Sequence, residues 1–177
     1  RLGDPGDPAT DIGPLIDAEA KARIEAYLDA NRARIIHRLP VSAENKGHYL
    51  GPVIIGIDRP EDLTREIFGP VLHVTTWKAG ELAELVERIN ASNYGLTMGL
   101  HSRLEDAVEI VRSHARASNL YVNRSMIGAV VEPQPFGGEG LSGTGPKAGG
   151  PNYLQRFTVE RSVSINTASA GGNASLL

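Results

Sequence analysis

The segment of this chain densest in reactive possibilities is residues 137–150, where seven of the residues are glycine and Pro133, Pro135, Pro146 and Pro151 stand in or around them. Within it, Gly138-Glu139-Gly140-Leu141-Ser142-Gly143 satisfies the literal dinucleotide fingerprint G-x-G-x-x-G. That fingerprint works only where a strand leads into it and a helix opens inside it, because the helix N-terminus holds the pyrophosphate. Prolines occupy both flanks here, so neither element can form and the fit is rejected. A phosphate loop fails as well, since Lys147 follows Pro146 instead of the closing glycine of G-x-x-x-x-G-K-[ST]. Ser142 has no G-x-S-x-G elbow around it to make it a nucleophile. The histidines His37, His48, His73, His101 and His114 form no i,i+3 or i,i+4 pair and no H-E-x-x-H arrangement, so no metal site is expected and none is given a catalytic role. With no cysteine, the chain has no disulfide framework, no thiolate ligand and no thiol nucleophile. The Asn-x-Ser triplets at Asn90, Asn123 and Asn173 are read as chance matches.

Two blocks stand out from this background. The first is Glu66-Ile67-Phe68-Gly69-Pro70-Val71. A carboxylate accepts hydrogen bonds from two hydroxyls at once, and charge-assisted bonds are the stronger kind. The plainer reading is a surface carboxylate ahead of a Gly69-Pro70 turn, with Phe68 as a core ring. The second block is Gly128-Ala129-Val130-Val131 followed by the run from Gln134 through the glycines to Pro151. Glycine lets backbone approach a ligand closely, and successive N–H groups form an anion-binding nest that needs no side-chain charge. The plainer reading, preferred for each glycine of 137–150, is a shaped turn between a sheet and a terminal strand.

The elements that must position these blocks follow from periodicity. Residues 1–14, rich in Gly, Pro and Asp, predict a loop. Asp17 predicts the cap of a helix over 18–31 whose apolar face is Ala20, Ile24, Tyr27 and Leu28. Strands are predicted at 34–39, 49–57 and 71–77, a helix at 80–91 through Leu82, Leu85, Val86 and Ile89, and a strand at 96–101. A helix at 104–115 through Ala107, Val108 and Val111 and a strand at 120–123 follow. Alternating helices and strands predict an α/β fold, a parallel-sheet sandwich with helices across its faces. Phe157, Val159, Arg161, Val163 and Ile165 alternate within 153–165, predicting a half-buried strand, and the tail 166–177 has no periodicity.

At 177 residues the chain is long enough for one domain with a substantial core. A net charge of -3 with dispersed lysines and arginines gives no footprint for nucleic acid. No apolar run spans a bilayer and no signal pattern opens the chain, which leads to a cytoplasmic expectation. The first residue is Arg1 rather than methionine, as expected for a piece of a longer polypeptide.

The first block resembles the E-I-F-G-P segment of the aldehyde dehydrogenase superfamily, and Asn93-Tyr94-Gly95-Leu96-Thr97 and Pro135-Phe136-Gly137-Gly138 follow in the superfamily's order. The second block is similar to the aldehyde anchor loop of its glutamate-semialdehyde dehydrogenases, and the tail resembles that of the bifunctional members. The resemblance implies an NAD-dependent enzyme that oxidises L-glutamate γ-semialdehyde to glutamate in proline catabolism. Glu66 would bond the nicotinamide ribose and Phe68 lie near the nicotinamide, Gly128 and Ala129 would bind the substrate carboxylate through backbone amides, and Phe136 would pack on its aliphatic chain. It further implies that residues 1–155 are the carboxy-terminal part of a catalytic domain and 156–177 an oligomerisation strand and tail joining a homo-oligomer. The nucleophilic cysteine and the general-base glutamate would lie upstream, together with a proline dehydrogenase domain carrying FAD, so the isolated chain is expected to be inactive. An aldehyde dehydrogenase of another substrate class and a non-catalytic assembly remnant are the alternatives.

Overall fold

Asp17, in an extended conformation, accepts a 2.6 Å hydrogen bond from the Ala20 amide and so opens helix α1 (Ala18–Ala30). Such a cap contributes about 1 kcal/mol by satisfying one of the helix's orphan N–H groups. The helix buries Ala20, Ile24 and Leu28, spaced four residues apart on one face. At its far end the Asn31 side chain donates to the Tyr27 carbonyl at 2.9 Å, and a single 3-10 turn at Arg32–Arg34 leads into strand β1 (Ile35–Arg38). The computed structural model describes residues 1–127, 133–166 and 175.

Strands β2 (Val53–Gly56) and β3 (Val71–Val74) complete a three-stranded sheet in the order β1-β2-β3. β2 is central, so its alternate residues Val53 and Ile55 are almost wholly buried, and they share a core with Ile24 and Leu28 of α1 and with Leu50. β2 and β3 run parallel, with Val53 opposite Val71 and Gly56 opposite Val74. β1, however, pairs antiparallel with β2, through a register break between Ile35 and His37. No helix lies between those two strands, and a parallel return requires a crossover of a dozen or more residues that here is a loop. The predicted strand 49–57 is correspondingly shorter. Pro52 has no N–H to give to a ladder, and its carbonyl instead accepts from the Leu39 amide at 2.9 Å.

The second half is a β-α-β unit. Helix α2 (Leu82–Asn90) precedes the two-residue strand β4 (Tyr94–Gly95), then come β5 (Thr97–Leu100), helix α3 (Glu105–His114) and β6 (Asn119–Val122). β5 and β6 are parallel, with Thr97 opposite Asn119 and Leu100 opposite Val122, as a helical crossover demands. α2 and α3 pack together and bury Val86 and Val111. Asn90 ties their ends, donating to the His114 carbonyl at 2.8 Å and accepting from the Arg116 amide at 3.0 Å. A short strand β7 (Glu139–Gly140) pairs antiparallel with β4. The α/β assignment therefore stands, but among the described residues the strands form three separate mixed or two-stranded sheets rather than one parallel sandwich.

The terminal strand predicted at 153–165 does not form in this chain. A single 3-10 turn, Leu154–Phe157, precedes extended backbone that pairs with no strand among the described residues, and Val159 is 92% exposed. Alternation can set which face a strand would bury, but only a neighbouring edge can supply its hydrogen bonds. Among the described residues no helix is long and apolar enough to cross a membrane.

Ile55 has no exposed surface at the centre of the first core, so Ile55→Ala is expected to lower stability by about 2–5 kcal/mol. Ile16→Ala, at a side chain 91% exposed, is expected to stay within about 0.5 kcal/mol of the parent. Urea unfolding of the two variants side by side checks this. Equal losses would place the core elsewhere.

Candidate functional site

A cleft of about 450 Å³ lies between the two halves of the chain, walled by Glu66, Ile67 and His73 on one side and by Ile89, Leu96 and Met98 on the other. The wall bearing Glu66 is shaped by alternation in an irregular segment. Ile67 turns inward and packs against the first core, which leaves its neighbours Glu66 and Phe68 facing outward. Gly69 permits this close course, because a Cβ there would come within 2.5 Å of the Ile24 side chain. Val53 then donates to the Pro70 carbonyl at 2.9 Å, fixing the segment to β2.

The plainer reading of Phe68 as a core ring does not hold, since the ring is 84% exposed. Glu66 borders the cleft, whereas Phe68 does not line it. His73, which had no assigned role, stands in the cleft wall with Nε2 2.8 Å from the Tyr27 hydroxyl, the two rings meeting edge to face. Burial pushes the imidazole below its ordinary value and the phenol above its own, so both are neutral near pH 7 and the pair is a neutral hydrogen bond.

Phe136 faces a different space. It is half-buried against a second cleft of about 320 Å³, lined also by Gly137, Gly138 and Tyr153. Its amide donates to the Ala148 carbonyl at 3.1 Å and its carbonyl accepts from the Ala148 amide at 3.0 Å, closing the glycine-rich loop at its base. Leu96 and Ser142 border both clefts. Glu66 and Phe136 thus border two separate clefts, parted by Leu96 and Ser142, rather than a common cavity. Ser142 is structural, its hydroxyl oxygen accepting from the Gly95 amide at 3.1 Å. At Gly140 φ is +61°, a left-handed turn packed against Asn93, so the literal dinucleotide string is a tight strand-and-turn with no helix behind it.

Gly128 and Ala129 lie outside the described residues, so their predicted amide nest is not placed. The approach to them is firmly held. Asn123, with φ +54°, follows β6 and exchanges two 2.9 Å hydrogen bonds with the Ser102 backbone, while the Arg124 guanidinium sits 5.0 Å from the centre of the Tyr121 ring. Among the described residues, Asn119 is the buried polar side chain that no sequence feature singled out, because a lone Asn at a strand start carries no motif. Among the described residues no group of three or more His, Asp or Glu side chains is arranged to hold a metal ion.

Residues 1–163 match the aldehyde dehydrogenase family, and the chain belongs to it. Within that family, the chain is 50% identical over 169 residues to the bifunctional protein PutA of Salmonella typhimurium, a match covering 91% of this chain and 13% of that protein. It is 37% identical over 169 residues to a 1-pyrroline-5-carboxylate dehydrogenase of a Geobacillus species, covering 93% of this chain and 32% of that one. Among solved structures, a mutant of Bradyrhizobium japonicum proline utilization A superposes with a TM-score of 0.85 at 46% identity, over 96% of this chain and 17% of its own. The 1-pyrroline-5-carboxylate dehydrogenase from Thermus with bound NAD superposes with a TM-score of 0.74 at 34% identity, over 88% of this chain and 30% of its own. The chain spans a minor part of the length of each of these relatives.

An ion pair lies beside the cleft residues Pro60 and Ile89. Arg88 of α2 grips Glu61 through two contacts, 2.7 and 2.9 Å, and thereby ties α2 to the 3-10 turn Pro60–Asp62. The guanidinium holds the Glu61 carboxyl at about 2 against an ordinary value of 4.5. Because the folded value is the lower one, the pair's stabilisation is fully present above the ordinary value and is lost as pH falls towards 2. Following the Glu61 side-chain carbonyl carbon by NMR across an acid titration is expected to give a midpoint near 2, moving up towards 4.5 in Arg88→Leu. A midpoint at the ordinary value in the parent would mean that the pair does not form in solution.

Proposed function

We propose that this chain is the carboxy-terminal part of the catalytic domain of an NAD-dependent L-glutamate-γ-semialdehyde dehydrogenase, in a bifunctional polypeptide whose proline dehydrogenase domain, with its FAD, lies outside the chain. The observation that carries the reading is the Glu66-to-Val71 block: a carboxylate on a cleft rim and an exposed aromatic ring, in a chain half identical to a bifunctional PutA over nearly its whole length. A cofactor bound at this cleft fits the residues present. Glu66 on its rim offers two acceptor oxygens to a diol, and Phe68, two residues on and outside the cleft lining, offers an uncovered ring to a planar heterocycle that extends beyond it. NAD, when bound, supplies a two-electron acceptor for the hydride of the bound aldehyde.

At the second cleft, Phe136 offers an apolar face to a short aliphatic chain, and in this reading the backbone amides of Gly128 and Ala129, outside the described residues, take the carboxylate at its end. The residues of this chain therefore bind and orient, and the bond-making groups come from elsewhere in the polypeptide. With no cysteine, the chain alone cannot form the thiol adduct and is inactive in this reading. The alternating segment 157–165, exposed and unpaired with any strand among the described residues, is assigned to pairing with a second protomer of a homo-oligomer.

In the full-length polypeptide, Glu66→Gln is expected to raise the KM for NAD roughly 10- to 100-fold and to leave the aldehyde KM near that of the parent, because a charge-assisted bond is lost. NAD kinetics matching the parent would remove Glu66 from the cofactor site.

Ala129→Pro deletes one amide of the nest without adding charge. It is expected to raise the KM for L-glutamate γ-semialdehyde at least about fivefold more than that for hexanal, which has no carboxylate to lose a partner. Equal changes for the two aldehydes would point to an aldehyde dehydrogenase of another substrate class.

A further inference from the structure

The cleft that Glu66 borders is lined by one carboxylate and one guanidinium among the described residues, and the two are neighbours in sequence, Glu66 and Arg65. The Arg65 side chain is exposed, and its guanidinium sits 5.9 Å from the centre of the Tyr27 ring, within reach of a cation–π contact. Tyr27 is itself held, through the 2.8 Å hydrogen bond between its hydroxyl and Nε2 of His73, which stands in the same cleft wall. Arg34, Arg59 and Arg88 each meet a carboxylate within 4 Å, whereas no carboxylate among the described residues pairs with Arg65. An aromatic face thus carries a cation at the cleft and leaves its charge uncompensated.

A guanidinium without a carboxylate partner is a ready contact for an anion, and its planar fork of donors matches the oxygens of a phosphate. A carboxylate alone is a poor host for a nucleotide, because the charge that accepts from the sugar hydroxyls also repels the phosphate attached to the same sugar. A ribonucleotide carries its diol on one edge of the ribose and its 5′-phosphate at the other end. A carboxylate and a guanidinium from adjacent residues can therefore meet one sugar at both ends, the second charge offsetting the repulsion by the first. We propose that Arg65 binds the phosphate attached to the nicotinamide ribose, the sugar whose diol Glu66 takes. The proposal deepens the reading of the preceding subsection and rests on it for the identity of the cofactor. It makes this cleft selective for a nucleotide over the corresponding nucleoside.

The test is isothermal titration calorimetry of the full-length polypeptide with NAD, nicotinamide mononucleotide and nicotinamide riboside, in the parent and in Arg65→Met, Arg59→Met and Glu66→Gln. The mononucleotide and the riboside differ only in the 5′-phosphate. Arg65→Met is expected to raise the Kd for NAD and for the mononucleotide about tenfold and that for the riboside less than about twofold. The loss is expected to shrink as salt concentration rises, since exposed charges are screened. Arg59→Met removes the same charge from a residue outside the cleft lining, and is expected to change all three constants less than about twofold. An unchanged Kd for the mononucleotide in Arg65→Met overturns the proposal. So does an equal loss on mononucleotide and riboside, which is a role in the shape of the cleft only, or an equal loss in Arg59→Met, which is a diffuse effect of net charge. Binding of NAD with no measurable binding of either smaller molecule overturns it as well, by placing the grip on the adenine half. Glu66→Gln is expected to weaken mononucleotide and riboside alike. If it changes neither, the reading of Glu66 as the diol partner fails, while a phosphate-selective loss in Arg65→Met still assigns the phosphate to Arg65.

Discussion

A side-chain amide buried beside strand carbonyls must find partners for its donors, because leaving one unmet costs about 1–3 kcal/mol. Asn119 meets that requirement by joining the start of β5, the start of β6 and the base of the glycine-rich loop in one cluster. Almost everything distinctive about the second half of the chain depends on that cluster. The loop has too little apolar side chain to bury itself, with seven glycines between 137 and 150, and so it is shaped by hydrogen bonds rather than by packing. The β4–β7 pairing, the Phe136–Ala148 bridge and the Ser142 contact with Gly95 are further fixings, and these sit within a few residues of it.

What was legible in the sequence divides along the same line between packing and hydrogen bonding. α1, α2 and α3 lie where their apolar periodicity put them, because a repeat every three to four residues has one physical solution when a core is at hand. Asp17 was legible as a cap for the same local reason. Sheet order was not, since whether β1 runs with or against β2 depends on the connection between them, and a 14-residue loop carries no period to read. Of the candidate residues, motifs pointed to Glu66 and Phe136, which the structure places at the rim of one cleft and the wall of another. The Asn119–Lys147 contact at the loop base was not legible, because a long-range polar contact leaves no local pattern.

The exposed apolar residues show where this chain's own surface cannot satisfy its sequence. Leu72 is 56% exposed on β3, an outer strand of its sheet, and Phe157, Val159, Val163 and Ile165 are exposed along the last described stretch. Isolated apolar side chains on a surface are ordinary, but a sustained alternation is a strand pattern and a strand needs an edge. In the proposed reading, the edges and faces that meet these residues belong to the rest of the polypeptide and to a second protomer.

The partition between the two clefts then acquires a chemical sense. A hydride donor and its acceptor must be brought close, yet the groups that bind the far ends of cofactor and substrate are best kept apart, each held by its own elements. Leu96 and Ser142 border both spaces, and they belong to the segments that Asn119 and the β4–β7 pair hold together. Glu66 is positioned separately, through its neighbour Ile67 packed against the first core. Two binding faces on separately braced halves of the chain can be altered one at a time. In the proposed reading, a change at the glycine-rich loop acts on the aldehyde and a change near Glu66 acts on the cofactor, with Leu96 and Ser142 the residues that border both clefts.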